Sequence, residues 1–158
     1  MKIEGFKTAK GQKLTKERLI EEIRDFILKD NRYQYKVLVG TDSENYEKGV
    51  EFISVIVIHR IGQGARYFWK RFYSNKKEDL YSRLWKEALF SLDISKELLK
   101  FLVKERLNFQ FEVHLDLGTN GKSKSVIKEL VNLIKGHGFD VKIKPESYAA
   151  SKIADHLL

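Results

Sequence analysis

Three β-rich runs follow one another with no helix between them, and only afterwards does the chain alternate helix and strand. Tyr35 to Thr41 (YKVLVGT) is a near-continuous apolar run closed by Asp42, the pattern of a strand buried on both faces. Val50 to Arg60 and Ala65 to Tyr73 are joined by Ile61-Gly62-Gln63-Gly64, which predicts a hairpin. Asp79 to Glu105 contains neither Gly nor Pro and predicts one long helix. Phe109 to Leu117 (FQFEVHLDL) predicts a strand, Lys124 to Lys135 a helix stopped by Gly136-His137-Gly138, and Val141 to Lys144 a short strand. Ser147 to Leu158, beyond Pro145, predicts a terminal helix. Ahead of all of these, Leu14 to Lys29 places Leu19, Ile20, Ile23, Phe26 and Ile27 on one helical stripe, with Thr15 as N-cap.

Three strands in hairpin connection followed by two right-handed crossovers give an α/β fold: a mixed five-stranded sheet with helices on both faces, plus an N-terminal helix. That is the element order of a ribonuclease H-like fold. With 158 residues, 42% of them hydrophobic, the expectation is one domain over residues 1–158. In such sheets the ligand crevice lies outside the carboxyl ends of the parallel strands, so the residues there carry the most information.

Composition removes several chemistries. With no Cys there is no disulfide, thiolate metal site or cysteine nucleophile, and any metal must be held by oxygen or imidazole. No apolar stretch approaches the roughly 20 residues of a membrane span, and Met1 to Lys7 lacks the apolar core of a secretory signal, so a cytoplasmic location is expected. Residues 66–158 hold 18 of the 30 basic residues and 12 of the 22 acidic ones, so +6 of the net +8 belongs to the second half. Such a surplus suits a polyanionic partner or a solubilising surface.

Asp is disfavoured in strands, yet Asp42 closes the first run and Asp116 lies near the end of the fourth. If those strands are neighbours, two carboxylates meet at one edge, where a hard divalent cation, Mg²⁺ or Mn²⁺, relieves their repulsion. The alternative is that Asp42 caps a turn and Asp116 binds loop amides. On the long helix, steps of 100° put Leu80, Leu84, Ala88, Ser91, Ser95, Leu98 and Leu102 on one face with Glu87 among them, while Asp93 and Glu97 fall opposite as ordinary solvated charges. Asp155 is the acid of the last predicted helix, with a solvent-facing role near the chain end as its competitor. Four acids on four elements are what two-metal phosphoryl transfer requires.

Three motifs carry a resemblance: GTDS from Gly40 to Ser43, HLDLGTNGK from His114 to Lys122, and KPESYAAS from Lys144 to Ser151 followed by Ala154-Asp155. Together they resemble the ribonuclease H-like YkuK family from about Leu14 to Asp155. The resemblance implies a ribonuclease H-like fold and, by superfamily analogy, metal-dependent cleavage of a nucleic-acid phosphodiester. It also implies that Asp42, Glu87, Asp116 and Asp155 are the catalytic and metal-binding acids. Ribonucleases H usually have Gly after the first Asp, whereas here Ser43 and Glu44 follow; Glu44 shares the strand face of Asp42 and ranks below the four.

Lys122, Lys124 and the amides opening their helix are placed to receive a backbone phosphate. Gly121-Lys122-Ser123 is not a P-loop, because Asp116 occupies the position of its first Gly. ARYFWKRFYSNKK from Ala65 to Lys77 interleaves aromatics with Lys70 and Arg71, which suits stacking plus phosphate contact; an edge strand protected by charge reads the same way. His114 either orients Asp116 or fills space. Two functional classes follow: a Mg²⁺- or Mn²⁺-dependent nuclease acting on RNA, an RNA–DNA hybrid or branched DNA, or a non-catalytic nucleic-acid-binding module. A phosphatase-like hydrolase is disfavoured, since a hairpin and not a helix follows Asp42.

Overall fold

Hydrophobic alternation decides how the sheet is layered. A computed structural model describes residues 3–117 and 124–147. Its elements are β1 (Lys7–Thr8), α1 (Lys16–Lys29), β2 (Tyr35–Tyr46), β3 (Gly49–Arg60), β4 (Ala65–Ser74), α2 (Leu80–Lys104), β5 (Gln110–His114), α3 (Lys124–Lys135) and β6 (Asp140–Lys142). The strands lie in the order β1-β4-β3-β2-β5-β6. The pairs β2·β3, β3·β4 and β1·β4 are antiparallel, whereas β2·β5 and β5·β6 are parallel.

The mixed α/β class is as expected, but the sheet has six strands and not five. The extra strand, β1, pairs Lys7 with Trp69 and Thr8 with Phe68, so β4 is not the edge that its charge pattern suggested. Two residues are too few to show an alternation period, and nothing local marks them as a strand. A second difference is that β2 runs on to Tyr46, which puts Asp42 inside the strand. Asp, Glu and Asn are poor strand formers, but the hairpin register from Asp42↔Ile53 to Tyr46↔Gly49 supplies ladder bonds that override propensity. Gly49 is required there, since an added Cβ would lie 1.8 Å from the Ser74 carbonyl oxygen.

Odd-numbered β2 residues face the helices. Val37 and Val39 join Ile56, Ile58 and Phe68 in one cluster with Leu19, Ile23 and Ile27 of α1 and with Ile94, Leu98 and Leu102 of α2. A second cluster packs Val113, Leu115 and Leu117 against Leu84, Ala88 and Leu92 of α2 and Val126, Leu130 and Ile134 of α3. All three described helices therefore cover the same face, with α2 central, and not both faces as expected, because the inward residues of β2 and β5 are on one side; the terminal helix expected over Ser147 to Leu158 lies outside the described residues except for Ser147. Leu38, Ile53, Val55 and Val57 form a third cluster on the opposite face, with Tyr67 and Trp69 against it. Near the free end of the β2–β4 meander, Phe90 of α2 sits edge-on to Phe52 and Phe72 at 5.1 and 4.8 Å, fixing α2 over the sheet.

Local signals set the helix ends. Thr15 accepts the Arg18 amide at 3.1 Å as the N-cap of α1, and Asp79 accepts the Ser82 amide at 2.7 Å as that of α2. Glu97, read as a solvated charge, instead accepts the Ile3 amide at 3.0 Å and ties the N-terminal segment to α2. No helix among the described residues is long and apolar enough to cross a membrane.

Leu98 is fully buried where α2 meets β2, and Leu89 on the same helix is 40% exposed. Leu98→Ala is expected to cost about 2–5 kcal/mol in urea unfolding, and Leu89→Ala under about 1 kcal/mol. Equal losses would mean that α2 does not dock by the face assigned to it.

Candidate metal-binding and catalytic site

The first two turns of α2 lie over the carboxyl-terminal half of β2. Glu87, on the inward face between Leu84 and Ser91, is only 6% exposed. A buried carboxyl needs partners, and Glu87 has one in Ser43, whose hydroxyl donates to its Oε2. Ser43 is in turn held by Arg83, one helical turn before Glu87: Nε donates to Ser43 Oγ at 3.1 Å and a terminal nitrogen donates to the Ser43 carbonyl at 2.8 Å. One turn deeper, Ser91 donates to Thr41 at 2.8 Å, and the Thr41 and Ser54 hydroxyls lie 2.7 Å apart. The polar side chains thus form a buried strip between α2 and the middle of the sheet.

Strand alternation places Asp42, between Thr41 and Ser43, on the other face of β2. Its Oδ1 accepts the Ser43 amide at 2.9 Å. Asp116 follows β5 by two residues and lies between Leu115 and Leu117, both buried against α2 and α3, so it too is directed away from the helices. Pairing continues past the strand ends, with Leu115 N–H to Lys142 O at 2.9 Å and Lys144 N–H to Leu117 O at 2.8 Å. This carries Lys144 alongside Asp116, and their charged atoms are 3.0 Å apart.

The surroundings of Glu87 act on its titration. Burial pushes the Glu87 carboxyl up to about 8; the Ser43 hydrogen bond opposes this, the Asp42 charge adds to it, Arg83 opposes, and Asp116 adds again. Glu87 is therefore protonated at neutral pH in the absence of a cation. Among the described residues, no three His, Asp or Glu side chains are grouped closely enough to hold an ion. The expected gathering of acids at one edge is therefore not formed by the described residues: Glu87 lies on the helix side of β2, and Asp42 and Asp116 lie on the other. Their carboxylate chemistry alone suits a hard divalent cation.

Of the remaining sequence candidates, Asp155 and Lys122 lie outside the described residues. Lys124 is exposed at the first position of α3. Lys70 and Arg71 are consecutive on β4 and so point to opposite faces. Lys70 reaches the Glu4 carbonyl oxygen, and Arg71 pairs with Glu51 at 2.6 Å. His114 meets Glu112 at 3.0 Å, and Glu112 also meets Lys36 at 3.2 Å. Burial lowers the His114 pKa, which the Glu112 contact only partly offsets, so the ring is neutral near pH 7. Sequence reasoning did not single out Arg83 and Ser43 as parts of the site. The i, i+4 spacing of Arg83 and Glu87 on a predicted helix was a usable signal, and so was Ser43 standing where Gly is usual.

A family model described as ribonuclease H-like matches residues 18–157. The chain belongs to this family. It is also 32% identical to "Uncharacterized protein YkuK" of Bacillus subtilis (strain 168), an alignment covering 90% of each chain, which places it in the YkuK group of that family. No solved structure matches it.

Between pH 4.5, the ordinary value for Glu, and about 8, the folded chain holds a proton on Glu87 that the unfolded chain has released. Stability from this group is therefore full below pH 4.5 and is lost as pH rises through 8. In buffer with EDTA, wild-type unfolding free energy is expected to fall by roughly 3–5 kcal/mol more than that of Glu87→Gln between pH 5 and pH 8.5. Parallel pH profiles would show that Glu87 is already ionised when buried.

Proposed function

We propose that the protein is a nuclease of the ribonuclease H-like type that hydrolyses a nucleic-acid phosphodiester, with Asp42, Glu87, Asp116 and Asp155 holding Mg²⁺ or Mn²⁺. What supports this reading is placement: Asp42 and Asp116 lie just beyond the parallel-paired segments of β2 and β5, and buried Glu87 of α2 packs against the same end of β2. Such an ion supplies Lewis-acid activation of water and charge stabilisation at the leaving oxygen. Ser43 and Arg83 act as positioning residues: they fix the carboxyl of Glu87, and the Arg83 cation favours its ionised form. Lys124, with Lys122 beside it in sequence, adds positive charge for the phosphate backbone. RNA, an RNA–DNA hybrid and branched DNA are the substrate classes to compare, and the cytoplasm is the compartment proposed.

One observation favours a second reading, a nucleic-acid-binding module without chemistry. The Lys144 ammonium already neutralises Asp116, as a cation would.

The two readings separate in an assay with labelled RNA, hybrid duplex and branched DNA, with Mg²⁺, Mn²⁺ or EDTA. For the nuclease, cleavage requires the ion and falls at least about 100-fold in Asp116→Asn, while binding is kept or tightened because one repelling charge is gone. Mn²⁺ is also expected to raise the melting temperature of wild type more than that of Asp42→Asn. Binding of every substrate with cleavage of none, and no ion-dependent shift in melting, would establish the binding module instead.

A further inference from the structure

The β-strand that composition did not reveal builds a second surface. Residues Ile3 to Leu14 fold back on themselves, with Lys7 bridged to Lys13, and lie along β4. Between this segment and β4 runs an open groove of about 830 Å³ lined by Lys7, Lys13, Trp69, Lys70, Arg71 and Tyr73, with Glu4 the one acid on its walls. We propose that this groove binds single-stranded nucleic acid, a site that rests on the nucleic-acid reading above and extends it beyond the acidic edge.

Three features carry the assignment. First, the indole of Trp69 is locked in place: its N–H donates to the Thr8 carbonyl at 3.0 Å, and Lys7 and Arg71 lie 5.1 and 5.4 Å from the ring centroid. The two cations lie over this ring, so Trp69 acts as a rigid mount that holds Lys7, and Arg71 with its Glu51 partner, at the groove as phosphate ligands. Second, Tyr73 is 58% exposed and braced edge-on by Tyr46 at 5.6 Å, so it presents a further ring without needing to be ordered on binding. Third, the register joins groove and acidic edge. Trp69 and Arg71 stand opposite Val55 and Ile53 of β3, which stand opposite Gly40 and Asp42 of β2. Arg71 and Asp42 therefore share a face and a cross-strand row, two strand spacings or about 10 Å apart. A strand stacked on Tyr73 and held by the cations mounted on Trp69 is within reach of the candidate metal site.

Stacking selects the ligand. Bases in a duplex have their faces covered by neighbours, whereas a single strand can lay them on aromatic rings. Charge alone would serve an acidic peptide equally well, and the exposed Tyr73 ring is what favours the nucleic acid.

The test uses the full chain in EDTA, with dye-labelled dT12, rU12, a 12-base-pair duplex and poly-glutamate, read by anisotropy across a salt series. Single strands are expected to bind at least 5-fold tighter than the duplex. Tyr73→Ala should lower single-strand affinity about 5-fold or more while leaving the salt slope unchanged. Lys7→Ala with Lys13→Ala should instead flatten the slope of log affinity against log salt by about 1.4. In a Trp85→Phe background, saturating dT12 should quench Trp69 fluorescence. If wild type binds single strands but both groove variants match it at unchanged melting temperature, the groove is not the contact surface, and ion-dependent cleavage by those same variants would leave the nuclease reading standing. Preference for duplex, or for poly-glutamate with no dependence on Tyr73, overturns the groove as well. Wild type that binds none of the nucleic acids overturns both.

Discussion

The structure turns on the burial of one carboxyl between α2 and β2. Placing Glu87 against a sheet is unfavourable unless its carboxyl is met, and here its Oε2 accepts the Ser43 hydroxyl, which Arg83 in turn holds. That requirement sets several local choices at once. The strand must present hydroxyls, not methyls, at Thr41 and Ser43; the helix must supply small residues at Ala88 and Ser91 for close approach; and Arg83 must come one turn before Glu87. Leu84, Leu92, Leu98 and Leu102 along the same helix then supply the apolar burial that offsets the cost.

Because β2 alternates, the same strand divides its labour. Its helix-side residues hold Glu87, while Asp42 on the other face looks out with Asp116 from the neighbouring parallel strand. The sheet is thin enough for charge to act across it, and the elevated Glu87 pKa registers both aspartates. At Asp116 the positive charge comes from Lys144, 3.0 Å away, so the proposed cation would have to compete with this pair.

The open flank of the sheet is organised by different forces. Adding β1 satisfies the outer backbone groups of β4 at Phe68 and Trp69 and raises a wall of lysines beside an aromatic row. Protection of an edge and creation of a basic, ring-lined groove are thus consequences of the same two-residue pairing. Much of the net positive charge on this side lies on side chains that also pack: Lys7 over Trp69, Arg66 over Phe68 and Arg71 over Trp69.

Local sequence determined the order of the elements from α1 to β6, the long helix with Glu87 on its inner face, the N-cap Thr15, and the hairpin at Gly62 and Gly64, because each depends on residues near one another in sequence. The family was legible too, carried by short motifs at Asp42, Asp116 and Lys144. The sixth strand, the extension of β2 through Asp42 to Tyr46, the ion pair of Asp116 with Lys144, and the bridging of Glu87 to Arg83 by Ser43 were decided only by tertiary structure. Each of these joins groups from separate elements. Propensity prices a residue against its neighbours in the chain, while hydrogen bonds, ion pairs and desolvation price it against whatever the fold brings alongside.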